Sequence, residues 1–166
     1  MGEGGLIAVL FTHPTALPQP GQGFLRRGLG FGCESVDGVD VDLKSVDMVT
    51  PDDLLKPHAI IMGSPVYFGT MAAELKKLID DSVVHFTKLD GKIGGAFASS
   101  GGAHGGNETT VLDIAKSLMV HGMIVKGVSG GAHYGPVAVG APDDDEAEEC
   151  RRYGYDLAEL TLKLFT

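Results

Sequence analysis

Three times along this chain a short, largely apolar run stops at a glycine-rich loop: Ala59-Ile60-Ile61-Met62 before Gly63, residues 93–98 before Ser99, and residues 123–128 before Ser129. Runs of this length and continuity read as strands buried on both faces. Beyond the first two loops, apolar residues recur at helical spacing. They are Met71, Leu75, Leu78 and Ile79 in one case, and Val111, Leu112, Ala115, Leu118 and Met119 in the other. Residues 6–11 form an earlier apolar run, and residues 39–44 alternate as an edge strand does. Strand, loop and helix in this alternation predict an α/β fold, a three-layer doubly wound parallel sheet of five strands. Right-handed crossovers and a switch point between the first and third strands give the order 2-1-3-4-5. The whole chain, 1–166, is expected to form a single domain.

In such a sheet the loops leaving strands 3, 4 and 5 open on one edge, where ligands sit. Here those loops are Gly63-Ser64-Pro65-Val66-Tyr67-Phe68-Gly69-Thr70, Ser99-Ser100-Gly101-Gly102-Ala103-His104-Gly105-Gly106, and Ser129-Gly130-Gly131-Ala132-His133-Tyr134-Gly135-Pro136. Backbone without side chains approaches a ligand closely and offers N–H donors. Tyr67, Phe68 and Tyr134 supply ring faces, and Ser64, Ser99, Ser100, His104, Asn107 and His133 supply polar groups. The set suits a flat aromatic ligand. No G-x-G-x-x-G and no Walker sequence occurs, which disfavours a dinucleotide-binding Rossmann domain and a P-loop NTPase. The serine at Ser99-Ser100-Gly101-Gly102 is followed by a glycine run and not directly by a helix, so a nucleophile elbow is disfavoured too.

Net charge narrows the partners. At -9 the chain lacks the basic face that nucleic acid requires. Cys33 and Cys150 stand far apart, and the histidines lack metal-ligand spacing, so no metal site is expected. They read as buried thiols of a reducing compartment. No apolar run reaches membrane-spanning length, and the predicted location is cytoplasmic, without membrane insertion. The acids at 143–146 fall on the first turn of the last helix, where the helix dipole favours them.

Residues 12–33 break the pattern. They hold Pro14, Pro18, Pro20 and five glycines, and no acid in 22 residues, together with Arg26 and Arg27. Glycine and proline at this density predict an irregular segment in place of a helix.

The segments at 63–71, 98–108 and 133–140 together resemble the flavodoxin-like family, and most closely its branch of WrbA-type NAD(P)H:quinone oxidoreductases. The resemblance runs from about residue 36 to the C-terminus. It implies FMN at the carboxyl edge of the sheet and NAD(P)H as electron donor. Carried over residue by residue, it implies cofactor contacts from Ser64, Pro65, Val66, Tyr67, Phe68 and Gly69 near the flavin ring. It implies further contacts from Ser99, Ser100, Gly101, Gly102, His104, Gly105 and Gly106 around the pyrimidine end. His133 and Tyr134 would border the face where donor and acceptor exchange places, as the catalytic pair. For the phosphate the family uses a hydroxyl-rich loop. This chain has Thr12-His13-Pro14-Thr15-Ala16-Leu17, in which Thr12 fits, Thr15 substitutes in part, and Pro14, Ala16 and Leu17 offer no hydroxyl.

The expected function is electron transfer from NAD(P)H through FMN to a quinone or similar acceptor. Two alternatives stand beside it, a flavodoxin carrying single electrons to a redox protein partner and a flavin-free interaction module of the same fold. Assembly as a homo-oligomer is a further expectation from the resemblance.

Overall fold

A computed structural model of the chain describes residues 4–12 and 20–165, with backbone alone at 20–24. The central parallel sheet runs β2 (Val39–Ser45), β1 (Gly5–Phe11), β3 (Ala59–Tyr67), β5 (Ile93–Ser100) and then β6 (Ile124–Val125). A short β4 (Thr70–Met71) folds back antiparallel on β3, and β7 (Val137–Val139) pairs with β5 beyond β6. Counted by position, this is the expected order 2-1-3-4-5. The register carries Phe11 opposite Gly63, and Gly63 opposite Phe97. The ends of β1, β3 and β5 therefore lie side by side at the carboxyl edge.

Helices cover both faces. On one, α2 (Ala73–Asp81) and α3 (Asn107–Val120) bury Leu75, Leu78, Ile114 and Leu118 against Leu10, Ile60, Met62 and Ala96. On the other, α1 (Pro20–Glu34) and α4 (Asp144–Phe165) bury Leu25, Leu29, Tyr153 and Leu157 against Ile7, Val9, Ile61 and Phe97. Each such side chain contributes about 1.5–3 kcal/mol of burial. The acids at the start of α4 act as a cap: the Glu146 N–H donates to Asp143 Oδ1 at 2.9 Å, and the Asp143 N–H donates to Glu146 Oε2 at 3.1 Å.

Three expectations need correction. Residues 20–34 are helical despite their composition. Leu25, Leu29 and Cys33 fall four residues apart on the buried face, and the glycines between them admit α4: a methyl group on Gly32 would sit 2.1 Å from the Arg151 carbonyl oxygen. The packing overrides the propensity. In residues 50–55 the sequence Thr50-Pro51-Asp52-Asp53 predicts a helix start, through an N-cap, a first-turn proline and acids at the positive end of the dipole. These residues form a 3₁₀ turn, Pro51–Leu55, closed by the Asp53 carboxylate accepting from the Thr50 N–H at 2.9 Å. The fifth strand is interrupted. Only Ile124 and Val125 of residues 123–128 pair with β5, and pairing resumes at Val137. Gly135, at φ +141, lies so close to β5 that a methyl group there would be 2.2 Å from the Ala96 carbonyl oxygen.

Candidate functional site

The loop after β3 is a tight hairpin into β4, built on two residues with positive φ, Phe68 at 50° and Gly69 at 82°. Ser64 braces it from below. Its buried hydroxyl accepts from the Ala72 N–H at 2.8 Å and donates to the Pro65 carbonyl at 2.8 Å. Two further bonds tie the tip to α3. Thr109 Oγ1 donates to the Gly69 carbonyl at 3.3 Å, and Thr70 Oγ1 donates to Asp113 Oδ2 at 2.7 Å. Lys116 first, and then Thr70, hold the Asp113 carboxyl below its ordinary pKa. The result is a pinned loop carrying the Phe68 ring fully in solvent. A bulky side chain in the left-handed region costs about 1–3 kcal/mol, and such strain gathers at ligand-handling sites.

The loop after β5 approaches that hairpin. A methyl group on Gly106, which precedes α3 with φ +103, would lie 3.1 Å from the Gly69 Cα. Ser100 Oγ turns inward to the Gly102 carbonyl at 2.8 Å, and the Gly105 N–H closes on the same carbonyl at 3.2 Å. Gly101 and Gly102 themselves face open space, with nothing within 4 Å of where a side chain would start. His104 stands exposed at φ 59°.

Around this open stretch buried polar atoms lack partners. They are Thr12 Oγ1 just after β1, the Tyr67 hydroxyl at the end of β3, Ser99 Oγ near the end of β5, and Asn107 Oδ1 at the start of α3. Burial, and secondarily Glu74, raises the Tyr67 pKa, so the phenol is a neutral donor. The Asn107 amide nitrogen reaches the Ala138 carbonyl at 3.5 Å, leaving its oxygen free. An unpaired buried polar atom costs roughly 1–3 kcal/mol, and four at one edge point to a ligand that pairs them.

The predicted residues divide between these features. Pro65 and Val66 are buried, with Pro65 opposite Ser99. Thr12 continues the ladder, its N–H donating to the Gly63 carbonyl at 3.2 Å. Thr15 lies outside the described residues. His133 and Tyr134 lie on the loop before β7. The segment carrying them interrupts strand 5, and it lines a pocket of about 160 Å³ with Glu108, Val111 and Val137 of α3 and β7. The walls of that pocket include neither Phe68 nor Gly101. Sequence reasoning missed the anchors Thr70, Thr109 and Asp113, because contacts between two loops leave no local pattern. Arg26, which the sequence shows only as one of two arginines in an acid-free segment, has its guanidinium 4.0 Å over the Phe11 ring.

Comparisons with known proteins converge. A family described as NADPH-dependent FMN reductase matches residues 50–133. A flavodoxin of Aquifex aeolicus is 40% identical over 136 residues, which cover 77% of this chain and 74% of that protein. An NAD(P)H dehydrogenase (quinone) of Archaeoglobus fulgidus is 34% identical over 98% of this chain and 85% of its own length. Among solved structures, a WrbA-like flavodoxin from Agrobacterium tumefaciens superposes with TM-score 0.78 at 21% identity, over 96% of this chain and 98% of that one. An archaeal flavodoxin gives TM-score 0.75 at 27% identity, over 95% and 99%.

Proposed function

The chain belongs to the flavodoxin-like NADPH-dependent FMN reductase family, and from that premise we propose that it is an oxidoreductase passing electrons from NAD(P)H through FMN to a quinone or similar acceptor. The observation that carries the reading is the set of unpaired buried atoms at one strand edge, Thr12 Oγ1, Tyr67 OH, Ser99 Oγ and Asn107 Oδ1. They fit a flavin nucleotide: its ring carbonyls and phosphate can accept from the three hydroxyls, and its ring N–H or ribityl hydroxyls can donate to Asn107 Oδ1. When bound, FMN supplies the redox chemistry that links a two-electron donor to the acceptor.

The chain's own residues bind and orient. The Gly101 and Gly102 backbone lies bare where a ring edge would rest, and Ser99 and Tyr67 offer hydroxyl donors beside it. The pinned hairpin sets Pro65, Val66 and Phe68 along the ring without a rearrangement on binding. Ser64, Ser100 and Gly105 hold the two loops in shape from behind. Gly69 and Gly106 bring those loops together, and His104 borders the opening. His133 and Tyr134, in the pocket beside α3, border the side where donor and acceptor exchange places.

The identity of the Aquifex relative favours a second reading, a flavodoxin that passes electrons to a redox protein partner. A chain of charge -9 suits a basic partner. Among the described residues no helix is long and apolar enough to cross a membrane. A cytoplasmic single domain, assembled as a homo-oligomer, completes the proposal, and sedimentation tests its last element.

The first experiment is the absorption spectrum of the purified protein, in which bound oxidised flavin appears as a yellow chromophore. A colourless protein that takes up no FMN would sink the proposal. Rapid NAD(P)H oxidation with benzoquinone, in the absence of a separate reductase, selects the enzyme over the carrier.

A further inference from the structure

We infer that Arg26 of α1 is the cation that binds the FMN phosphate, replacing the hydroxyl-bearing side chains that Pro14, Ala16 and Leu17 do not supply. The inference rests on the FMN reading above. Arg26 projects from α1, the helix that follows β1 in the chain. It sits six residues into α1, roughly 9 Å along the axis, and helical side chains lean back toward the N-terminus. Its guanidinium lies over the ring of Phe11, the last residue of β1. The next residue is Thr12, whose buried hydroxyl has no partner.

Arg26 is itself incompletely satisfied. Its Nε is buried and makes no hydrogen bond. Burial, and then the neighbouring Arg27, press its pKa downward, so the charged neighbour acting on it is another cation. The Phe11 face compensates part of that cost. An incoming dianion would offset both the cost of burial and the repulsion. The surrounding sequence agrees. Residues 12–33 contain no acid, in a chain that carries 22 of them, and the first carboxylate after them is Glu34, at the far end of α1. A chain of charge -9 thereby places no carboxylate on the stretch from Thr12 to Cys33.

Titrating flavin-stripped protein with FMN and with riboflavin, which lacks the phosphate, tests this directly. Flavin fluorescence quenching is the readout. Arg26→Gln is expected to weaken FMN binding about 10- to 100-fold while changing riboflavin binding by no more than about twofold. Arg26→Lys should retain part of the preference for FMN, and the exposed Arg27→Gln should retain nearly all of it. Inorganic phosphate should compete with FMN in the unsubstituted protein and lose that effect in Arg26→Gln. Equal weakening of both flavins by Arg26→Gln would mean that the residue acts through the fold. Unchanged FMN affinity would place the phosphate elsewhere, and either result overturns the inference. An unsubstituted protein that binds neither flavin defeats the FMN reading itself, before any substitution is made.

Discussion

Glycine builds two regions of this molecule for opposite purposes. In the seam between α1 and α4, a methyl group on Gly32 would fall 2.1 Å from the Arg151 carbonyl oxygen, and one on Gly154 would fall 2.3 Å from that of Leu29. At the rim after β5, Gly101 and Gly102 meet nothing within 4 Å. The seam uses glycine to close space, and the rim uses it to leave space open. Substitution should therefore separate a cost in stability from a cost in binding. The seam offers the larger effect: Gly32→Ala is expected to destabilise by about 2–3 kcal/mol, lowering Tm by roughly 5–10 °C. A denaturant midpoint within error of the parent would show that the helices are not in backbone contact.

The seam also holds two fully buried thiols. Burial pushes the Cys33 thiol from its ordinary value of 9.0 up to about 12, with Glu34 adding to the shift. Burial, with Glu149 and Glu146 behind it, does the same for Cys150. A raised thiol pKa favours the protonated, folded form. The unfolded chain begins to release these protons near pH 9 while the folded chain holds them until about 12, so stability falls as pH rises through that window. Each thiol contributes a slope of up to about 1.4 kcal/mol per pH unit. Denaturant melts between pH 8 and 10.5 should show the loss, and Cys33→Ala with Cys150→Ala should flatten it.

At the rim the balance inverts. Gly102→Ala is expected to leave the flavin-free protein within about 0.5 kcal/mol of the parent, because the methyl group enters open space. FMN should bind about tenfold more weakly, since that space is where the ring edge lies in the proposed complex. Fluorescence titration beside a thermal melt checks both halves. A stability loss matching that of Gly32→Ala would dissolve the distinction between the two regions.

The same contrast explains what could be read in advance. β3 and β5 are legible because each is an apolar run ending in a loop whose composition differs from both neighbours. α1 is not legible, because Pro and Gly report helix propensity, whereas Gly32 meets Arg151 and Gly154 meets Leu29, contacts with a helix far away in sequence. The interruption of strand 5 is hidden for a related reason. Met123, Ile124 and Val125 look like the start of a continuous strand, and only the seating of Gly135 against Ala96 shows that the chain leaves the sheet between Val125 and Val137. The rim residues themselves were visible as a composition. Their pinning, through Thr70 to Asp113 and Thr109 to Gly69, was not, since it joins loops that are distant in sequence.

Ser99→Ala provides the finest test, because its expected sign depends on the flavin. The Ser99 hydroxyl is buried in β5 without a partner, so the flavin-free protein bears the cost of its lost hydration. Removing the hydroxyl removes that cost and should stabilise the flavin-free protein by up to about 1 kcal/mol. In the flavin-loaded protein the hydroxyl is the proposed donor, and its removal should destabilise by a similar amount. The two melts should therefore shift in opposite directions, and the difference between them is the hydrogen bond made on binding. Loss of stability in both states would assign Ser99 to packing, placing it with the seam despite its position at the rim.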